Sequence, residues 1–272
     1  MEYLGGLAAS PANRARLQCV MHMKTLENRI ALITGATRGL GKAIALELAA
    51  AGAKLALVGR DEAKVSETAQ EVVQIGAEEH VFVTDVAQEH QVQALKRRTQ
   101  EHFGRVDILV NNAGVMLRKP LVDCSVEEWR KVIDSNLTSV FLMCHAFVPL
   151  MRGRGYGRIV NIASTMAHVA LPGRTAYAAS KAGLLGLTRA LALELAGDGI
   201  TVVSISPGPF ATEMAAPLMS DTALNAQILA KVPLGRWGDP KDIGKLTQFL
   251  CSEDAGYITG TDILIDGGWT AQ

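Results

Sequence analysis

The chain has 272 residues with 27 basic and 27 acidic side chains, no formal net charge, and 49% hydrophobic residues. That length suits one large domain or two small ones and is enough for a substantial core. The charge balance gives no electrostatic case for nucleic acid or an anionic membrane, and no continuous apolar run reaches the length of a membrane span. Cys19, Cys124, Cys144 and Cys251 stand far apart with no CxxC pair. They read as free thiols in a reducing, cytoplasmic setting, neither metal ligands nor a disulfide frame.

Residues 1–25 lack any periodic pattern, and their apolar residues are too scattered for a secretory signal. They read as a disordered extension or as sequence ahead of a misplaced start codon. A short apolar run at 29–33 then ends at Thr34-Gly35, and helical spacing follows over 39–51 until Gly52. A strand at 54–58 leads to a helix at 61–75 that stops at Gly76, then a strand at 81–84, a helix at 89–103 and a strand at 106–110. Ser125 is placed as an N-cap with Glu128 three residues on as a capping-box partner, opening a long helix toward Met151. A strand at 158–162, a helix at 175–195, a strand at 200–205 and a short strand at 263–265 complete the pattern.

Strands alternate with helices, and the strands are mostly continuous apolar runs, as expected when both faces are covered. The pattern predicts an α/β fold: a doubly wound, Rossmann-like parallel sheet of about seven strands with helices on both faces, in one domain over 26–272. The stretch 207–223 reads as an irregular loop. At the C-terminal end of a parallel strand, such a loop usually covers a ligand.

Tyr177 and Lys181 are four residues apart on one expected helix, so they project from the same face. A free phenol has a pKa of about 10 and is a poor base at neutral pH. A neighbouring ammonium group stabilises the phenolate, and the tyrosine can then exchange a proton with a substrate oxygen. An ordinary helix surface would show the same two residues.

The run Thr34-Gly35-Ala36-Thr37-Arg38-Gly39-Leu40-Gly41 lies between the first strand and first helix. Its glycines permit a tight turn and close approach of backbone to a pyrophosphate, with the helix N-terminus supplying donors. The spacing is GxxxGxG, where the common dinucleotide fingerprint has GxGxxG.

Here the chain resembles the short-chain dehydrogenase/reductase family, over roughly 26–272. Residues 34–41 are similar to its TGxxxGxG, and Asn111-Asn112-Ala113-Gly114 to its NNAG. Ser164, Tyr177 and Lys181 fall at the spacing of its Ser and YxxxK, Asn136 matches its fourth catalytic position, and Pro207-Gly208 resembles its PG.

The resemblance implies that Tyr177 is the acid for carbonyl reduction and the base for alcohol oxidation. Lys181 would lower the Tyr177 pKa and bond the nicotinamide ribose. Ser164 would hold the substrate oxygen. Asn136 would hold a water linking Lys181 to solvent, or simply kink its helix. It also implies a nicotinamide cofactor bound by Gly35, Thr37, Arg38, Gly39, Leu40 and Gly41 at the turn, by Asp85 and Val86 at the adenine, and by Asn112, Ala113 and Gly114. Pro207, Gly208 and Thr212 would complete the site near the nicotinamide. Asp85 could instead cap the helix after it, and Thr212 could bond its own loop.

An NAD site places an acid about 20 residues beyond the glycine turn. Gly59 stands there, followed by Arg60. Arg38 and Arg60 could clamp a 2′-phosphate, so NADP is preferred, with NAD as the alternative through Asp61, which is also well placed as an N-cap for the next helix. Candidate substrate residues are His168, Arg174, Met214 and Leu218. The tail Pro233-Leu234-Gly235-Arg236-Trp237-Gly238 and Thr259-Gly260 through Gly267-Gly268 resembles both 3-oxoacyl-carrier-protein reductases and gluconate 5-dehydrogenases, so a carbonyl or alcohol small molecule is expected and its identity stays open. A homotetramer is the family's usual assembly. Val140, Met143, Ala190 and Leu193 are apolar in excess of one core-facing stripe. A dinucleotide sensor without catalysis is the alternative. Such a protein would be expected to lack the Tyr or the Lys, and both are present.

Overall fold

The computed structural model describes residues 25–272. The expected N-terminal extension, apart from Thr25, lies outside the described residues. Strands β1 (Ile30–Thr34), β2 (Lys54–Gly59) and β3 (Glu79–Val83) alternate with helices α1 (Gly39–Ala50), α2 (Glu62–Ile75) and α3 (Glu89–Phe103). Strand β4 (Ile108–Asn111) leads to α4 (Val126–Ile133) and α5 (Ser139–Met151), joined by a π-helical turn at Asp134–Thr138. Then come β5 (Gly157–Ile162), α6 (Thr175–Leu195), β6 (Ile200–Pro207), α7 (Ala216–Ser220), α8 (Thr222–Leu229), α9 (Pro240–Cys251) and β7 (Asp262–Ile265).

The seven strands form one sheet in the order β3-β2-β1-β4-β5-β6-β7, and every pairing is parallel. This is the doubly wound sheet that the alternating pattern implied. β1, β4, β5 and β6 are buried along their whole length, which explains their unbroken apolar character. Alternation within each strand divides two cores. Ala31, Ile33, Leu55 and Leu57 pack with Ile44 and Leu48 of α1, Val65 and Val72 of α2, and Ile243 and Leu250 of α9. Leu32, Ala56, Val58 and Leu109 face the other way, against Val92 and Leu95 of α3, Phe147 of α5 and Leu184 of α6.

Ser125 caps α4 through a capping box with Glu128, as expected. The stretch Val126–Met151 is long and apolar enough to cross a membrane by length and composition alone. Its Val140, Met143 and Phe147 are instead buried against the sheet, so they are core residues and not an excess stripe. Of the four residues expected to face outward, Ala190 and Leu193 are exposed, and Leu193 is 83% so.

Two elements depart from the sequence reading. The stretch 207–223 is only partly irregular: α7 lies within it, and α8 begins at its end because Asp221 accepts from the Ala223 and Leu224 amides. Helix α9 was missed. Its signals were local: Asp239 accepts from the Lys241 amide and Pro240 opens the helix. Its site on the fold is not local. A Cβ at Gly244 would come within 2.7 Å of the Ala43 carbonyl oxygen, so glycine there permits α9 to lie directly on α1.

Candidate active site

Parallel strands bring their C-terminal ends to one edge of the sheet, where ligands bind in folds of this kind. A cleft of about 650 Å³ runs along that edge. Gly35, Thr37, Arg38, Gly39, Leu40 and Gly41 line it, as do Arg60, Asp85, Val86, Asn112, Ala113, Gly114, Pro207, Gly208 and Thr212. Ser164, Tyr177 and Lys181 line the same cleft, with Arg174, Met214 and Leu218.

The turn after β1 can be tested for a dinucleotide on its own geometry. Gly35 has φ +66°, and a Cβ there would stand 2.8 Å from Asn112 Nδ2. A Cβ at Gly41 would run into the Gly35 carbonyl oxygen. Both glycines are therefore required by backbone packing. Helix α1 begins here with no side-chain cap on its N-terminus, so its first amides and dipole face the cleft. The turn is held by Asn112, whose Nδ2 donates to the Thr34 and Gly35 carbonyls at 2.9 and 3.0 Å. Thr34 Oγ1 accepts from the Asn112 and Ala113 amides. These features fit a pyrophosphate at the turn.

At the end of β2, Gly59 is buried, and a Cβ there would meet Thr37 Cγ2 at 2.6 Å. A carboxylate at position 59 would displace Thr37. Arg38 and Arg60 are both exposed at this mouth. Asp61 caps α2 by accepting from the Lys64 amide at 3.2 Å. That hydrogen bond and the Lys64 charge hold its carboxyl below the ordinary range. Asp85 does not cap a helix: the N-cap position of α3 is Gln88, which makes no side-chain capping bond. Its Oδ1 accepts from the Ala87 amide at 3.1 Å in a tight turn.

The other end of the cleft holds the polar side chains of α6 and the β5 end. Tyr177 and Lys181 share a face of α6, but the phenol is not held by the ammonium group. Lys181 Nζ lies 5.9 Å from the Tyr177 ring centroid and donates to the Ile162 carbonyl at 2.6 Å. Burial lowers the Lys181 pKa to about 8. Burial likewise raises the Tyr177 pKa, opposed by Ser164 and by the charge of Arg174. The lowering of Tyr177 expected from Lys181 is not present in this arrangement: Lys181 is turned to the Ile162 carbonyl, and desolvation outweighs Ser164 and Arg174. The phenol stays protonated at neutral pH, the form a general acid needs.

Ser164 lies two residues past β5, at the start of a short helical turn, and its Oγ accepts from the Met166 amide at 3.1 Å. Asn136 lies in the π turn and is fully buried. Such turns often mark functional positions. Its Oδ1 accepts from the Val115 amide at 2.7 Å, and its Nδ2 donates to the Val115 carbonyl and Ser180 Oγ. The side chain thereby pins the segment after Asn111–Gly114 to α6. A Cβ at Gly114 would stand 3.1 Å from Asn136 Oδ1 and 3.7 Å from Lys181 Nζ, so glycine there leaves room for both groups.

His168 is a correction. It does not line the cleft. Its Nε2 lies 2.7 Å from Asp262 Oδ2 on β7, so the carboxylate draws it to the far side of the loop. Sequence reasoning also missed Arg118, Met116, Trp237 and Trp269, which line the cleft. Arg118 follows Asn111–Gly114 closely enough to have been considered. The tryptophans had no local signal, because the fold carries them in from distant loops.

A family model described as Enoyl-(Acyl carrier protein) reductase matches residues 35–270. The chain belongs to the short-chain dehydrogenase/reductase family. It is 40% identical over 245 residues to a 3-oxoacyl-acyl-carrier-protein reductase of Haemophilus influenzae, covering 89% of this chain and 98% of that protein. It is 42% identical over 244 residues to an acetoacetyl-CoA reductase of Rhizobium meliloti, covering 89% and 98%. Among solved structures, a proposed 2-deoxy-D-gluconate 3-dehydrogenase from Agrobacterium tumefaciens with bound NADP superposes with a TM-score of 0.84. It is 38% identical, covering 92% of this chain and 99% of that one. This short-chain dehydrogenase/reductase is accordingly an oxidoreductase.

Proposed function

We propose that the protein uses NADP(H) to interconvert a ketone and a secondary alcohol on a small molecule carrying an anionic group. The observation that carries this reading is the single cleft in which Ser164, Tyr177 and Lys181 meet the glycine turn. The bound cofactor would supply or accept the hydride. Tyr177 would donate its proton to the substrate oxygen, and Ser164 Oγ would hydrogen-bond that oxygen as negative charge develops. Lys181 and Asn136 would relay a proton from solvent to recharge Tyr177 in reduction, and carry it back out in oxidation. Gly35, Thr37, Gly39, Leu40 and Gly41 would hold the pyrophosphate, Asp85 and Val86 the adenine, and Asn112, Ala113 and Gly114 its ribose. Pro207, Gly208 and Thr212 would close over the nicotinamide end.

NADP is favoured over NAD because Arg38 and Arg60 stand at the mouth while Asp61 is engaged in capping α2. A 2′-phosphate would gain charge-assisted hydrogen bonds that a hydroxyl does not offer. The anionic substrate follows from Arg174 and Arg118. Burial first, and then the charge of Arg118, lower the Arg174 pKa. Neither guanidinium has a carboxylate partner among the described residues. Two guanidinium groups without a carboxylate partner in the cleft that holds Tyr177 suit a carboxylate or phosphate, although Glu213 lines the same cleft. Met214 and Leu218 would form the apolar side of the lid.

The test is a screen of NADPH oxidation across keto acids, acyl thioesters, neutral sugars and steroids, repeated with NADH. Turnover of anionic ketones with a higher kcat/KM for NADPH is expected. Preference for NADH would show that Arg38 and Arg60 do not clamp a phosphate. Inactivity on every class despite tight NADPH binding would favour the sensor.

The assembly we propose is a homotetramer of closed symmetry. Leu193 on α6 and Phe141 on α5 are 83% and 53% exposed, and β7 is an edge strand with unpaired backbone groups. Light scattering at micromolar concentration should give the tetramer mass, and a monomer would rule it out. The described cysteines are unpaired, which suits a reducing cytoplasm.

A further inference from the structure

The residue that left the cleft belongs to a polar cluster of its own. His168 ends the short helical turn that Ser164 begins. The turn is tight: the Ala167 amide donates to the Ser164 carbonyl at 2.8 Å and the His168 amide to the Thr165 carbonyl at 2.9 Å. From its end, His168 Nε2 reaches Asp262 Oδ2 at 2.7 Å. The other carboxylate oxygen, Oδ1, accepts from Ser204 Oγ at 2.5 Å and from Ser206 Oγ at 3.0 Å. Both serines are on β6 and fully buried, and Ser206 directly precedes Pro207 and Gly208 of the cleft.

The three residue types suggest a hydrolytic triad, but the geometry is wrong for one. A triad needs the carboxylate on one ring nitrogen and the serine on the other. Here Asp262 and Ser206 both approach Nε2, at 2.7 and 3.5 Å. Ser206 Oγ moreover points at Asp262 and is sealed from any substrate. What the cluster does is tie the end of the Ser164 turn to β7 and to the last residues of β6. The structure holds its ends in register by hydrogen bonds to a carboxylate whose side chain is only 12% exposed. Removing the His168 partner would leave that carboxylate short of a donor and the turn without its anchor.

We propose that His168 and Asp262 are positioning residues for Ser164, setting where its hydroxyl stands relative to Tyr177. This rests on the catalytic reading of Ser164 given above. Misplacement by about 1 Å of a group that acts on the reacting atoms can cost as much as a hundredfold in rate, so a brace at the end of the Ser164 turn controls turnover even though it touches no ligand.

The test uses the full chain with NADPH and whichever ketone the screen identifies. His168→Ala and Asp262→Ala should each lower kcat about tenfold, with the dissociation constant for NADPH changed less than about twofold. His168→Gln, whose amide can donate to Asp262 in place of Nε2, should recover most of the loss. The double alanine variant should be no slower than either single one, because the two residues act as one unit. Ser164→Ala is the reference. If Ser164→Ala retains turnover, the catalytic reading fails and this inference falls with it. If Ser164→Ala is inactive while His168→Ala and His168→Gln both turn over normally, only the bracing role is overturned. Additive losses, or a fall in kcat that His168→Gln does not relieve, would also overturn it. Should an alanine variant not fold, His168→Gln and Asp262→Asn carry the same comparison.

Discussion

Tyr177→Phe should lower kcat by roughly two to four orders of magnitude while leaving NADPH affinity near its original value. The ring and its packing on α6 are kept, and only the hydroxyl is lost. Burial raises the Tyr177 pKa, so at neutral pH the phenol carries the proton that ketone reduction needs. Among the described residues of the cleft, no other side chain is placed to replace it: Ser164 keeps its proton at any ordinary pH, and Lys181 Nζ is turned to the Ile162 carbonyl. Measurement of single-turnover rates together with cofactor titration separates chemistry from binding. Turnover near that of the unmodified protein would remove the mechanism.

Lys181→Met should abolish turnover to a similar degree and yet make the ligand-free protein more stable. Lys181 is 5% exposed, and burial lowers its pKa from 10.5 to about 8. The sign follows from linkage. Between those two values the unfolded chain binds more protons than the folded one, so stability rises with pH across that window. Below about 8 the lysine is charged in both states, and the full cost of burying the charge is present. Methionine removes that cost but orphans the Ile162 carbonyl, which takes back part of the gain. A net gain of about 1–2 kcal/mol at pH 7 is expected, shrinking as pH rises from 8 toward 10.5. Chemical denaturation of both proteins at several pH values measures it. A variant less stable at pH 7, with an unchanged pH dependence, would contradict the burial account.

Tyr177 and Lys181 share a helix face because they are four residues apart, and that is legible from spacing alone. Their pKa values are not, because they depend on what the fold packs around them. An isolated pair would lower the phenol, whereas the buried one raises it. Asp61 was legible as an N-cap, since the cap is made within three residues. His168 was not legible as a brace, because its partner Asp262 is 94 residues away. Asn136 lay between the two. Its place in a long helix could be read, but its clamp on Val115 came only with the chain's return from β4.

The sequence by itself determined the alternation of strands and helices, the glycine turn, and the residue types available for chemistry. Those signals are periodicity, caps and tight turns, and each is made by residues close in the chain. Tertiary structure decided which of those residues meet. The parallel sheet brings strand ends far apart in sequence to one edge, where Gly35, Asn112, Ser164 and Thr212 line one cleft. It also drew His168 out of that cleft and brought Trp237 into it. Contact between distant segments, and the desolvation it causes, is a property of the packed chain, so no local pattern could carry it.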